Sequence, residues 1–401
     1  MPGPSRDLQS RRDPTALIVG AVAAQVIGGL LPQMLPLVVG GLMAGLALSE
    51  RDAGFVTSVE LLVLAVTAIV IAPMLSRYSY RRAGIAAAVL TLIAQGASIF
   101  STSLASLIIL RALAGIGEGT LYAVSLAVVA ARSNNPDKVY GYFQIAWALG
   151  SVPLFAGGGR LTAAYAQHGI FALIAGVALV LTPLLWLIPD DRVAGGGGIV
   201  GERAPASPVL GIVTLVAIVL YLMVSAGVYA FSTSLGERAG LGTDAVGYAL
   251  TAATLFGLVG AGAATALNVR WGRAIPISGF FVVFIVVTVV LCLWRNPIAY
   301  VVAIIVSAVI YYFSLPYMFG LAAALDRSGR WAAAAGSAFL LGFGAGPRAG
   351  GVVIDAAGYA GLAVASVIVP AVAWALTMAV CRRLGDTAGT ALAADPAAGV
   401  T

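Results

Sequence analysis

Four ionisable residues stand inside long apolar runs: Glu60, Arg111, Glu118 and Arg348. A charge in such surroundings is expensive, and its presence points to proton exchange, ion pairing or attraction of a charged solute. Two of the four share the segment Leu110-Arg111-Ala112-Leu113-Ala114-Gly115-Ile116-Gly117-Glu118-Gly119. On a helix, residues seven apart share a face to within about 20° and are separated by roughly 10 Å along the axis. Arg111 and Glu118 therefore face the same way without pairing directly. Gly115, Gly117 and Gly119 admit the close approach of another backbone, and Tyr122 lies one turn beyond Glu118 on the same face. A carboxylate at this position is costly to desolvate, which favours its proton-bound form unless a cation is near. Glu118 is thus a candidate proton-coupling group, with Arg111 biasing its protonation or holding an anionic solute. The competing reading makes Arg111 a structural residue satisfied by backbone carbonyls and Glu118 permanently neutral.

Glu60 and Arg111 come to similar depths in their helices, so an ion pair between them is expected. It could serve as an outer gate, a proton relay or a structural staple. Arg348 follows Gly346-Pro347 in a Gly-rich stretch, residues 342–351, where Gly and Pro should bend or loosen a helix. Its two readings are attraction of an anionic solute and snorkelling to the interface. Softer polar stripes accompany these charges. They comprise Gln25 and Gln33; Gln144 and Trp147; Tyr221, Ser225 and Tyr229; and Ser307, Tyr311 and Ser314. At helical spacing they can line a water-filled cavity and bind a solute, or they can act as interhelical glue.

The elements that must position these residues are transmembrane helices. The chain has 401 residues, of which 61% are hydrophobic and 9% charged. A soluble domain runs at roughly a quarter charged, and disordered chains are richer still in charge. An all-α polytopic membrane protein remains, with the lipid bilayer as its solvent. Twelve spans are expected, at 14–40, 53–75, 83–103, 106–130, 138–160 and 168–188, then 209–234, 243–268, 274–294, 297–324, 331–354 and 357–381. Asp13-Pro14 reads as an N-cap followed by proline at the first helical position. Only Ser101-Thr102-Ser103 separates the third and fourth spans. The domain layout is a tail at 1–13, a six-helix bundle at 14–188, a Gly-rich linker at 189–208, a second bundle at 209–381 and a tail at 382–401.

Loop charges set the orientation. With the N-terminus inside, cytoplasmic segments hold 16 of the 22 Lys and Arg residues and outer segments hold four. Both termini are expected in the cytoplasm. The net charge of +6 lies in these short loops, so no nucleic acid partner is implied. The 22 basic residues include a single lysine, Lys138, which with abundant Ala and Gly suggests a GC-rich genome and a bacterial inner membrane. Cys292 and Cys381 form no framework, His168 stands alone, and no metal site is implied. No phosphate-binding Gly-x-x-x-x-Gly-Lys-Ser/Thr segment occurs, which argues against ATP drive. An enzyme would have neither a His cluster nor a convincing acid pair to work with. Similar residues recur at an offset of 195: Arg132-Ser133 as Arg327-Ser328, Gly141 as Gly336 and Tyr122 as Tyr317. Glu118 falls opposite Phe313, which concentrates ionisable chemistry in the first half.

The chain resembles the major facilitator superfamily of secondary transporters. The resemblance rests on Arg111-x-x-x-Gly115-x-Gly117, similar to that family's fourth-helix motif, whose Arg is associated with proton coupling. The family's loop between helices 2 and 3, Gly-x-x-x-Asp-Arg-x-Gly-Arg-Arg, is echoed by Ala72-x-x-x-Ser76-Arg77-Tyr78-Ser79-Tyr80-Arg81, without its acidic residue. Its counterpart, Arg270-Trp271-Gly272-Arg273, keeps the Arg-x-Gly-Arg core. A Gly-x-x-x-Gly-Pro-x-x-Gly-Gly pattern, associated with exchangers in helix 5, occurs here at residues 342–351, in the eleventh span. The resemblance implies two pseudo-symmetric six-helix bundles, a cavity between them, gating at Arg77, Arg81, Arg270 and Arg273, and alternating access. The expected function is proton-coupled transport of a small organic solute, including organic anions, with the proton gradient as energy source and no cofactor. Efflux of hydrophobic compounds by proton antiport is the alternative, and a transporter-derived ligand sensor is the alternative of another class.

Overall fold

A computed structural model describes residues 14–134, 136–190, 208–267, 270–325 and 330–394, with side chains undescribed at Ser76, Pro136, Asp137 and residues 385–394. The N-terminal tail, the linker from residue 191, the Asp13 cap and the Arg327-Ser328 repeat lie outside the described residues, as do side chains of most of the C-terminal tail.

The described chain is almost wholly helical. In order come α1 (Thr15–Leu46), α2 (Glu50–Ile71), α3 (Tyr80–Ile99), α4 (Leu104–Arg132), α5 (Pro136–Leu181) and α6 (Pro208–Ala230). There follow α7 (Ser232–Arg238), α8 (Thr243–Leu267), α9 (Ala274–Leu293), α10 (Pro297–Ala323) and α11 (Arg330–Ala394). Two 3₁₀ segments, Ala72–Arg77 and Thr182–Leu187, finish α2 and α5. Ten stretches among the described residues are long and apolar enough to cross a membrane. Large apolar side chains such as Val180, Phe100 and Ile298 face outward, as a hydrocarbon solvent allows.

Local signals explain most of the helix starts. Ser49 accepts a hydrogen bond from the Asp52 backbone N at 3.1 Å, and Glu50 and Asp52 occupy the positive end of α2. Ser79 caps α3 and Ser103 caps α4, so the break between the third and fourth spans, four residues from Phe100 to Ser103, is a true helix boundary. Asn296 caps α10, with Pro297 in the first turn. The first helix departs from expectation by one residue. Pro14 is itself the cap, because its ψ of 128° is extended.

The expected fifth and sixth spans meet at a kink at Ala166 (φ 48°, ψ −130°) within α5, and the eleventh and twelfth at one at Gly358 (φ 65°, ψ −169°) within α11. One residue outside helical geometry is enough to redirect the chain without a loop, and a positive φ is cheap for glycine at Gly358. The seventh span stops at Ala230, and α7 follows as a separate short helix. Pro347 does not break α11, since the departure from helical φ/ψ lies eleven residues later.

The Gly-rich face of α11 instead makes helix contacts. A Cβ on Gly54 of α2 would lie 2.2 Å from the Pro347 carbonyl oxygen, so the two backbones touch there. Alongside, the Arg348 backbone N donates to Ser58 Oγ at 2.8 Å. On the opposite side, Gly159 of α5 meets Gly247 of α8. Thr233 Oγ1 donates to the Pro36 carbonyl at 2.8 Å. These contacts join the first five helices to the rest at the end where α1 finishes. One apolar cluster runs through both groups there, from Leu35 and Phe171 to Phe231 and Val246. A second cluster, including Leu17, Ala88, Val128 and Leu185, has its buried members in the first group alone.

Candidate functional site

Two sites arise from this packing: a cavity between the helix groups and a sealed polar network beside it. The cavity has a volume of about 410 Å³ and draws its walls from α1, α2, α4 and α5 on one side and from α6 to α11 on the other. Among the sequence-predicted binding residues, Gln25, Tyr122, Gln144 and Trp147 line it from the first group. Ser225, Tyr229, Ser307 and Tyr311 line it from the second. Some of this polarity is spent internally. Ser125 Oγ donates to Gln25 Oε1 at 2.5 Å, and the Tyr229 hydroxyl donates to the Gln33 carbonyl at 2.6 Å.

Three expected members lie elsewhere. Tyr221 is fully buried among Phe280, Phe281 and Phe284, with ring centroids 5.1–5.5 Å away. Its hydroxyl meets Ser314 Oγ at 2.8 Å. That pair is interhelical glue between α6 and α10: at about 100° per residue, Tyr221 is turned about 80° from Tyr229 and Ser314 about 60° from Tyr311, which carries both off the cavity face. Arg348 also stays outside the cavity. Its guanidinium lies 4.9 Å from the Phe55 ring and donates to the Arg51 carbonyl at 3.4 Å, near the Arg51–Asp355 pair at 4.0 Å. It belongs to the closed end.

The network contains the other three intramembrane charges and one residue that sequence reasoning missed. Arg111 Nη1 donates to Glu60 Oε2 at 2.8 Å and to Gln95 Oε1 at 2.9 Å. Its Nη2 donates to Ser98 Oγ, and its guanidinium lies 4.5 Å from the Phe171 ring. Gln95 Nε2 donates to Glu60 Oε1 and to Glu118 Oε1, each at 2.9 Å. Glu60, Gln95, Arg111 and Glu118 are all 0% exposed. Among the described residues, Glu118 Oε2 and Arg111 Nε have no hydrogen-bond partner. One guanidinium, bonded to Glu60, thus accompanies two carboxyls that share a single amide donor.

The glycines of α4 make this arrangement possible. A Cβ at Gly115 would stand 2.5 Å from the Glu60 carbonyl oxygen, and one at Gly119 would stand 2.4 Å from that of Leu64. α4 therefore lies directly on α2, which brings Glu60 to Arg111. Gln95 was inconspicuous because a lone amide in an apolar helix carries no charge signal. Its position on α3, packed against α4, is what gives it its role. The expected common face of Glu118 and Tyr122 divides in the structure: Glu118 turns to Gln95, whereas Tyr122 lines the cavity. The two sites still adjoin, since Leu61 and Leu64 of α2 line the cavity beside Glu60.

At the other end of the first group, the loop motif lacks its own acid, and Asp190 supplies one from beyond α5. Ser79 Oγ donates to Asp190, Arg82 lies 3.6 Å from it, and Arg81 Nε donates to the Ile188 carbonyl at 2.5 Å. The Ser79 hydrogen bond, ahead of the charges of Arg82 and Arg81, holds the Asp190 carboxyl below its ordinary value. Of the expected gate residues, Arg81 joins this clamp. Arg77 and Arg270 are exposed, and Arg273 is half-buried at the start of α9.

Comparison with known proteins agrees with this architecture. A bacterial homologue of the human lysosomal transporter Spinster, in an inward-facing and unoccupied conformation, superposes with a TM-score of 0.70 at 13% identity, over 95% of this chain and 98% of that one. The nucleoside transporter NupG superposes with a TM-score of 0.71 at 11% identity, over 93% and 98%. At such identities the likeness concerns the fold. No curated protein matches by sequence. The sequence profile of the Major Facilitator Superfamily matches residues 16–325. This multi-pass membrane protein, a transporter and not an enzyme, belongs to the Major Facilitator Superfamily.

Proposed function

We propose that the protein is a proton-coupled secondary active transporter that moves a small organic solute by alternating access. On this reading the chain crosses the membrane twelve times as two pseudo-symmetric six-helix bundles, residues 14–188 and 209–381, with Ala166 and Gly358 each dividing one long element into two crossings. The charge bias of the loops supports cytoplasmic termini in a bacterial inner membrane. The closed end carries Arg51 and Arg238, which that bias assigns to the outside, so the cavity is accessible from the cytoplasm.

The observation that carries the proposal is the ratio of one guanidinium to two carboxyls in a fully buried cluster. Arg111 compensates Glu60 directly. Glu118 meets the Gln95 amide and the Glu60 carboxyl, and among the described residues no cation bonds to it. An uncompensated carboxylate in a dry site is expensive, so Glu118 holds a proton in this state. Rocking of the helix groups moves α2 against α11, because Gly54 and Leu61 of α2 touch α11. It would open the Glu60–Arg111–Gln95 arrangement to water and release the proton on the opposite side. Arg111 then acts as the internal counter-ion.

Reconstituted protein tests this reading with a solute found by thermal-stability screening. Glu118→Gln should abolish transport driven by a pH gradient while leaving solute exchange intact. Driven transport that survives in this variant removes Glu118 as the coupling site. The aromatic part of the lining, with Trp147, Tyr229 and Tyr311, favours a second reading, proton-driven efflux of hydrophobic compounds. Its direction is read by the same vesicles with the gradient reversed. A ligand sensor would show binding without counterflow.

A further inference from the structure

The cavity's chemistry narrows the solute beyond what the coupling mechanism requires. No Asp, Glu, Lys, Arg or His side chain lines it among the described residues. The charges that sequence reasoning offered to an anion are committed elsewhere. Arg111 is sealed against Glu60, Gln95 and Ser98, and Arg348 is held at the closed end by Phe55 and Arg51.

What faces the cavity is neutral, and much of it is uncommitted. The side chains of Gln33, Gln144, Tyr122, Ser225, Ser307 and Tyr311 line it, and among the described residues their polar atoms have no hydrogen-bond partner. Amides and hydroxyls of this kind donate and accept equally well. They satisfy a solute that carries both kinds of group, but they offer no net counter-charge to an ion leaving water. Flat apolar surface accompanies them on both walls. The Trp147 indole lies over Gly29, where a Cβ would come within 2.5 Å of the ring. Across the cavity Tyr311 and Tyr312 meet edge to face with centroids 5.5 Å apart. Aromatic walls of this kind favour a planar ring in the solute. The volume, about 410 Å³, falls in the range that holds a whole small organic molecule.

We infer that the cavity binds an uncharged solute that combines a planar apolar ring with several hydrogen-bond donors and acceptors. The inference rests on the cavity being the transport site, and it is independent of which residue carries the proton.

The test is binding to the purified full-length protein in detergent, read as ligand-dependent thermal stabilisation and by isothermal titration. The probes are matched triplets on one scaffold. One triplet is para-nitrophenyl β-glucoside, its glucuronide, in which a carboxylate replaces the terminal hydroxymethyl, and its analogue with an aminomethyl there. Further triplets use neutral nucleosides and neutral phenolic amides with their carboxylate and ammonium derivatives. At least one neutral member should bind at least tenfold more tightly than both of its charged partners. Methyl β-glucoside, which lacks the ring, should bind at least tenfold more weakly than its aryl counterpart if that scaffold is recognised. Trp147→Ala and Tyr311→Ala should each weaken the neutral ligand by tenfold or more. Gln144→Glu should move the preference to the ammonium member.

Equal or tighter binding of a charged member, or no binding by any neutral member, overturns the inference. Neutral binding untouched by Trp147→Ala, Tyr311→Ala and Gln144→Glu overturns the assignment of the cavity itself. Gradient-driven transport by Glu118→Gln sinks the coupling mechanism alone and leaves the solute preference standing.

Discussion

Replacing Gln95 with Leu separates a charge-satisfying network from ordinary helix glue. The side chain makes three buried hydrogen bonds: two donated to carboxyls and one accepted from a guanidinium, each at 2.9 Å. Measured interhelical hydrogen bonds in membrane proteins average about 0.6 kcal/mol, so three ordinary ones total about 2 kcal/mol. Leucine gains little in exchange, because lipid tails are as apolar as its own side chain. Hydrogen bonds to charged groups contribute about 1.5–3 kcal/mol each. Two of those, to Glu60 and Arg111, with one ordinary bond to the protonated Glu118, total about 4–7 kcal/mol. The assay is reversible unfolding in mixed micelles by SDS titration, with Tyr221→Phe as the single-bond comparison, expected to lose no more than about 1.7 kcal/mol. In a Glu60→Gln background the Gln95→Leu loss should fall by at least about 1 kcal/mol, because a bond to a charged carboxylate becomes an ordinary one. A Gln95→Leu loss below about 2 kcal/mol, or strict additivity with Glu60→Gln, would refute the view that Gln95 holds a charged cluster together.

Two further outcomes follow from the packing and the loop clamp. Gly54→Val drives side-chain atoms into the Pro347 carbonyl, which a Cβ alone would approach to 2.2 Å, so the closed end should be wedged open. Spin-label distances across α2 and α11 should lengthen, and an unchanged distribution would contradict the proposed contact as a gate. Asp190→Ala should raise deuterium uptake across residues 79–83 at pH 7. Because the folded-state value of Asp190 is lowered, its anchoring is fully present above the ordinary value of about 3.9 and fades as pH falls through the lowered one. The wild-type protein should therefore approach the Asp190→Ala uptake only in that acidic range, and protection that disappears near pH 6 would rule the clamp out.

Much of this molecule could be read from its sequence because a bilayer leaves few choices. Apolar runs of 20 residues identify helices almost without regard to their neighbours, and the scarcity of charge singled out Glu60, Arg111 and Glu118. The Glu60–Arg111 contact followed from depth alone. Three features did not follow. Gln95 has no distinguishing sequence context, and only the approach of α3 to α4 makes it the bridge. Tyr221 and Ser314 sit at the right spacing for a cavity stripe, but helix rotation turned them into the aromatic layer against α9. The breaks at Ala166 and Gly358 are single dihedral events, invisible to hydropathy windows many residues wide. Arg348 was ambiguous for a simpler reason: its long side chain can reach either the cavity or the interface, and its neighbours Phe55 and Arg51 come from a helix distant in sequence.

A cavity without charge also fixes the electrical character of transport on the proposed mechanism. If the solute is uncharged and one proton accompanies or opposes it, each cycle moves one net positive charge across the membrane. The cycle would be electrogenic in either direction. A potential of 100 mV is equivalent to about 2.3 kcal/mol per charge, which alone supports a roughly 50-fold solute gradient. Each unit of pH difference adds about 1.4 kcal/mol, or a further tenfold. A cell could therefore drive this transporter by membrane voltage at neutral external pH, where a carrier that exchanged charge for charge would stall.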